Sequence, residues 1–152
     1  MMTDQFEKFV NSITQLYRCI QKIKNREMTE LGLKGTHVMC LFHLKRHEEG
    51  LTAGELSSLC LEDKAAISRA ISDLSHEGLV TQEEAGSKRR YRSRIHLTDS
   101  GKSVAAKMVK IIENAVTKGG AGLSAGELDT FYKALNVISS NLRAVSEAPA
   151  PL

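Results

Sequence analysis

Proline is missing from the first 148 residues of this 152-residue chain; Pro149 and Pro151 both sit in the tail EAPAPL. Proline removes a backbone donor and clashes inside a helix, so its absence leaves every earlier segment free to be helical. The apolar residues use that freedom. Phe6, Phe9, Val10, Ile13, Leu16, Tyr17, Ile20 and Ile23 are spaced by threes and fours, which predicts a helix over 6–23. Its stripe is wide enough to need cover on more than one side. Leu128, Phe131, Leu135, Ile138, Leu142 and Val145 step by 3, 4, 3, 4, 3, a heptad-like seam.

Further segments lie between these two. Thr36 to His47 reads as a helix with Val38, Leu41, Phe42 and Leu44 inward. Thr52-Ala-Gly-Glu55 has the form of a capping box and opens a short helix with Leu56, Leu59 and Cys60. A turn, 61–63, leads into a helix from Lys64 to Glu77, stopped by Gly78. Leu79–Glu83 and Tyr91–Leu97 read as strands joined by a glycine-containing hairpin loop, 85–90. Thr98 opens a helix to about Lys118, with Val104, Met108, Ile111, Ile112 and Ala115 on one face. After the glycine-rich linker 119–122, Ser124-Ala-Gly-Glu127 caps the last helix.

This order describes a mainly α protein. A winged helix-turn-helix core, about 36–98, carries a small β-hairpin wing. Long N- and C-terminal helices, about 4–28 and 98–147, flank it, and 148–152 form a disordered tail. The length fits one domain spanning 1–152. The outer helices carry more apolar surface than one chain easily hides, so the expectation is a homodimer intertwined through its ends.

Several classes are excluded. No apolar run approaches the roughly 18–20 residues of a membrane span. The opening MMTDQFEKFV lacks the basic and apolar regions of a secretory signal, so the expected location is the cytoplasm. Cys19, Cys40 and Cys60 form no CxxC pair, and their apolar neighbours suggest small buried side chains. Catalytic and nucleotide-binding motifs are missing, no cofactor is indicated, and the expectation is a protein without enzymatic activity. His43 and His47, four apart, share a helix face, but spacing supplies no third ligand, so no metal site is expected.

Charge points elsewhere. The 21 cations and 18 acids give a net charge of +3, but Lys88, Arg89, Arg90, Arg92 and Arg94 fall within 86–94 with no acid among them. Without them 16 cations face 18 acids, a net charge of −2. The positive potential is a local stripe suited to a polyanion. The helix from Lys64 adds a second surface. Ile67, Ala70, Ile71 and Leu74 mark its core face, whereas Ala65, Arg69, Ser72 and His76 point away, flanked by Ser68. Small, polar and cationic side chains let a helix approach base edges in a major groove. Arg89 and Arg90 stand at the hairpin tip, and Arg92 and Arg94 are placed to track phosphates.

Residues 51–102, with LTAGEL, DKAAISRAISDLSHEGLV, the basic wing and IHLTDSGK, resemble the winged-helix core of the MarR family of transcriptional regulators. The resemblance extends more weakly over roughly 6–147. It implies a homodimer on a pseudo-palindromic double-stranded DNA operator, acting as a repressor relieved by a small-molecule effector or by thiol oxidation. The implied DNA-binding residues are Lys64, Ala65, Ser68, Arg69, Ser72 and His76 of the recognition helix, with Lys88, Arg89, Arg90 and Arg92 of the wing. Arg89 falls on the family's wing arginine, while Ser87 replaces the aspartate of its Asp-x-Arg motif. Redox-responsive members carry a first-helix cysteine, which makes Cys19 the candidate sensor, although the second helix here has no tyrosine to hold a thiolate. The alternative is a winged-helix protein-interaction module without operator specificity.

Overall fold

The computed structural model describes residues 2–83 and 93–148. Among these residues there are six helices and two strands: α1 Met2–Thr29, α2 Gly35–Arg46, α3 Ala53–Cys60, α4 Lys64–His76, β1 Val80–Gln82, β2 Ile95–Leu97, α5 Asp99–Gly119 and α6 Ala125–Glu147. No helix among them is long and apolar enough to cross a membrane. The chain divides into two compact units, Met1–Ile112 and Glu113–Leu152.

The first unit holds the core. Val38, Cys40, Leu41 and Leu44 of α2 meet Leu56 and Cys60 of α3 and Ile67, Ala70 and Leu74 of α4. Ile95 of β2 and Ala105 and Met108 of α5 complete it, together with Met28 at the end of α1. Each fully buried Ile or Leu contributes about 1.5–3 kcal/mol. The expected inward residues Phe42, Ile71, Val104, Ile111 and Ile112 are only partly buried, at the edge of this cluster.

Local chemistry sets the helix ends. Thr52 Oγ1 accepts from Glu55 N–H at 3.2 Å, and Glu55 Oε2 accepts from Thr52 N–H at 2.8 Å. That backbone hydrogen bond holds the Glu55 carboxyl below its ordinary pKa. The Ser124–Glu127 box repeats the arrangement at α6 and lowers the Glu127 pKa in the same way. Asp63, which the sequence reading placed in a plain turn, caps α4: its Oδ1 accepts from Ala66 N–H at 2.7 Å. Between α3 and α4, Leu61 adopts a left-handed conformation at φ 55° although its side chain is exposed.

The entry of α5 is fixed by a close approach. Thr98 Oγ1 donates to Gly78 O at 2.6 Å and accepts from Gly101 N–H at 3.0 Å. A Cβ on Gly101 would stand 1.9 Å from the Leu79 carbonyl oxygen, so this position must be glycine. The strands pair antiparallel, with Val80 opposite Leu97, Thr81 opposite His96 and Gln82 opposite Ile95. On its other side Ile95 exchanges both backbone hydrogen bonds with Leu51, at 2.8 and 3.1 Å.

Helix α1 runs past its apolar stripe, close to the expected bounds of about 4–28, and no helix breaker occurs until Gly32, at φ 68°. Two expectations are corrected. The strands are shorter than 79–83 and 91–97: Leu79 closes the end of α4 by donating to Leu74 O, while Tyr91 and Arg92 lie outside the described residues. Cys40 and Cys60 are buried as expected, but Cys19 is exposed, because the α1 stripe beside it is open within its own chain. The prolines of the tail also lie outside the described residues.

Candidate nucleic-acid interface

Helices α3 and α4, separated by the turn 61–63, form a helix-turn-helix. The buried Ile67, Ala70 and Leu74 orient α4, so the opposite face turns outward. Lys64, Ala65, Ser68, Arg69, Ser72 and His76 are all exposed. Lys64, Ser68, Ser72 and His76 line a concavity of about 1060 Å³, shared with Ala53 and Gly54 of α3 and with Val80 and Gln82 of β1. Ala65 and Arg69 remain outside it, on the other flank of the exposed face. The sequence reading missed Ser75, which lines the same concavity beside Ser68 and Ser72. A helical wheel carries the signal: Ser75 lies within about 20° of Ser68.

Lys88, Arg89, Arg90 and Arg92, together with Ser87, lie outside the described residues. The base of the wing is described. Arg94, expected to track phosphates with Arg92, instead donates from Nη1 to Gly50 O at 2.7 Å. A long guanidinium side chain can turn back and satisfy a partly buried carbonyl, so strand alternation alone did not give its direction. Two residues on, in β2, His96 Nε2 lies 2.8 Å from Glu83 Oε1. A Cβ on Gly50 would come within 2.5 Å of the His96 ring, so the loop that receives Arg94 also requires glycine. The wing root is tied on both edges, to β1 and to the loop before α3.

A further contact joins α4 to α2. His37 is buried, its Nδ1 accepts from Lys34 N–H at 3.2 Å, and its Nε2 lies 3.1 Å from Asp73 Oδ2. Lys34 Nζ is 3.8 Å from the same carboxylate oxygen. The sequence reading missed this pair, because 36 residues separate its members. The other α2 histidines diverge. His47 Nδ1 contacts Glu49 Oε1 at 3.0 Å, whereas His43 packs against the edge of Phe42. Burial, and then the neighbouring His47 and Arg46, lower the His43 pKa.

Over residues 31–90 the sequence matches the MarR family model. Over those residues the chain is similar to the MarR family. Solved structures extend the likeness of the fold. A MarR-family transcriptional regulator from Silicibacter pomeroyi is 26% identical, with TM-score 0.68 over 88% of this chain and 86% of its own. The transcriptional regulator SlyA is 23% identical, with TM-score 0.78 over 88% of this chain and 93% of its own. MepR of S. aureus, in complex with DNA, is 17% identical, with TM-score 0.76 over 86% and 93%. No curated protein matches the sequence at a significant level. The matched residues 31–90 take in α2, α3, α4 and β1, and so include the exposed face of α4.

Proposed function

We propose that this chain is a homodimeric, sequence-specific double-stranded-DNA-binding transcriptional regulator of the MarR family, without catalytic activity. The observation that carries the reading is the exposed face of α4, small, polar and cationic, presented by a family helix-turn-helix. MepR, similar in fold, has been captured on DNA. Ser68, Arg69 and Ser72 read bases or set register, with Lys64, Ala65 and His76 beside them. Lys88, Arg89, Arg90 and Arg92 supply electrostatic attraction to phosphates.

Dimerisation is supported by the open apolar stripes. Phe6, Leu16, Tyr17 and Ile20 of α1 are exposed in one unit, and Phe131, Leu142 and Val145 of α6 in the other. Exposed apolar stripes of this length mark interaction surfaces. In the dimer both units act as one functional domain, and two recognition helices enter successive major grooves about 34 Å apart on a pseudo-palindromic operator. The chain acts as a repressor, released by a small-molecule effector or by oxidation of a thiol. Exposed Cys19 is the accessible candidate for the second route.

The test is selection of duplexes from a random-sequence pool, followed by titration at several salt concentrations. Ser68→Ala and Arg69→Ala are expected to lose about 1–3 kcal/mol of discrimination between selected and random duplex. Arg92→Ala weakens both alike and lowers the salt slope by about one. A parent protein that enriches no sequence overturns operator recognition and favours the protein-interaction reading. A chain truncated after Gly122 that remains dimeric overturns the role of α6. Peroxide treatment that leaves operator affinity unchanged in the parent and in Cys19→Ser removes Cys19 from regulation.

A further inference from the structure

Arg69 and Asp73 lie four residues apart on α4, the spacing at which opposite charges on a helix meet. Yet Asp73 is engaged elsewhere: His37 Nε2 stands 3.1 Å from its Oδ2, and Lys34 Nζ 3.8 Å from the same atom. Among the described residues Arg69 makes no ion pair. The hydrogen bonds also assign the imidazole. Nδ1 accepts from Lys34 N–H, so in the neutral ring the proton is on Nε2, which donates to the Asp73 carboxylate. His37 is buried at the first turn of α2, while Asp73 stands half-exposed at the rim of the recognition face. The ring is therefore held by its surroundings, and it fixes the carboxylate rather than the reverse.

We infer that His37 is a positioning residue for DNA recognition: it holds the Asp73 carboxylate against α2 and so keeps Arg69 free for the nucleic acid. The inference rests on the reading of α4 as the recognition helix. Its physical content is a competition for one acceptor. A carboxylate released from His37 stands one helical turn from the Arg69 guanidinium and pairs with it. The protein then presents a neutralised pair where it had presented a cation, next to the phosphates that this cation would meet. Lys34 is exposed and contributes a more weakly held contact to the same oxygen, so the buried imidazole carries the restraint.

The competition makes a prediction that a purely structural strut does not. If His37–Asp73 only stiffened the helix pair, removing either member would harm binding, and removing both would not repair it. If Asp73 is a competitor that His37 restrains, neutralising Asp73 rescues the loss of His37. The experiment uses full-length His37→Asn, Asp73→Asn and the double variant. Each is titrated by fluorescence anisotropy against a duplex selected by the parent and against its scrambled sequence. His37→Asn is expected to lose about tenfold on the selected duplex and less than threefold on the scrambled one. Asp73→Asn stays within about threefold of the parent, and the double variant returns to that range. A double variant as weak as His37→Asn overturns the inference, as does a His37→Asn protein that binds like the parent.

If His37→Asn does not fold, as judged by circular dichroism, Asp73 carries the test alone. Asp73→Glu lengthens the side chain away from the His37 geometry yet keeps a carboxylate within reach of Arg69. It is expected to lose discrimination while Asp73→Asn keeps it; equal binding by the two overturns the inference. A parent that prefers no duplex over its scrambled form defeats the DNA-binding reading itself, a result distinct from all of these.

Discussion

The winged-helix core and the two terminal helices solve the same problem differently. In the core, α2, α3 and α4 are each only 8–13 residues long, yet each buries apolar side chains against the others. Helices α1 and α6 are 28 and 23 residues long, and α6 buries none of its residues. Helix α1 reaches the core only through its last turn, where Met28 is buried; its stripe from Phe6 to Ile23 stays exposed. Length and apolar content therefore do not decide where a helix finds its cover. The short helices close a core within one chain. The long ones carry apolar stripes that are exposed, the feature on which the proposed dimerisation rests.

Four substitutions, with Glu55→Gln as a companion to the third, probe that contrast, taken by the size of their effect on chain stability. Leu41→Ala empties a fully buried site in α2 and is expected to cost about 2–5 kcal/mol, read from chemical denaturation. A cost below about 1 kcal/mol would mean that the core is not where this chain holds itself together. Gly101→Ala forces a methyl group onto the Leu79 carbonyl and is expected to cost about 1–3 kcal/mol, seen as a lower unfolding midpoint. A neutral effect would break the claim that α5 and the strand entry are in contact.

Thr52→Ala removes the α3 cap and is expected to cost about 1 kcal/mol. Its acid dependence has a definite sign. The Glu55 pKa is lowered in the folded chain, so its contribution is complete above the ordinary carboxylate range and fades as pH falls through the lowered folded value. Thermal unfolding from pH 7 to pH 3 should therefore show the parent losing stability toward acid, and Glu55→Gln losing less of it. Last, Ile13→Asp in the α1 stripe is expected to change the denaturation midpoint of the isolated chain by no more than about 0.5 kcal/mol. The same change should shift sedimentation from dimer to monomer. A large loss of chain stability instead would place α1 with the core and erase the contrast.

The sequence made the core legible where its signals are local. The helices follow from apolar spacing, and the Thr52–Glu55 and Ser124–Glu127 boxes are each complete within four residues. Asp63 was missed although it stands directly before Lys64, where an aspartate is a standard cap. What lies between distant residues was not legible. His37 and Asp73 meet because α2 packs on α4, and nothing in either local pattern announces it. Arg94 was misdirected by strand alternation, since a flexible side chain near Gly50 has a carbonyl to satisfy. Cys19 was misjudged for a similar reason: apolar neighbours along a helix are not neighbours around it unless another surface covers them.

The contact between Gly101 and Leu79 also has a mechanical consequence. A carbonyl oxygen pressed against the first turn of α5, with Thr98 stapling that turn to Gly78, leaves no play in the joint. The start of α5 and the root of β1 must turn together. A tilt of the first turn of that helix would therefore press on the backbone at Leu79, directly before the strand that leads into the wing. In this lever the fulcrum is the space left by one absent methyl group.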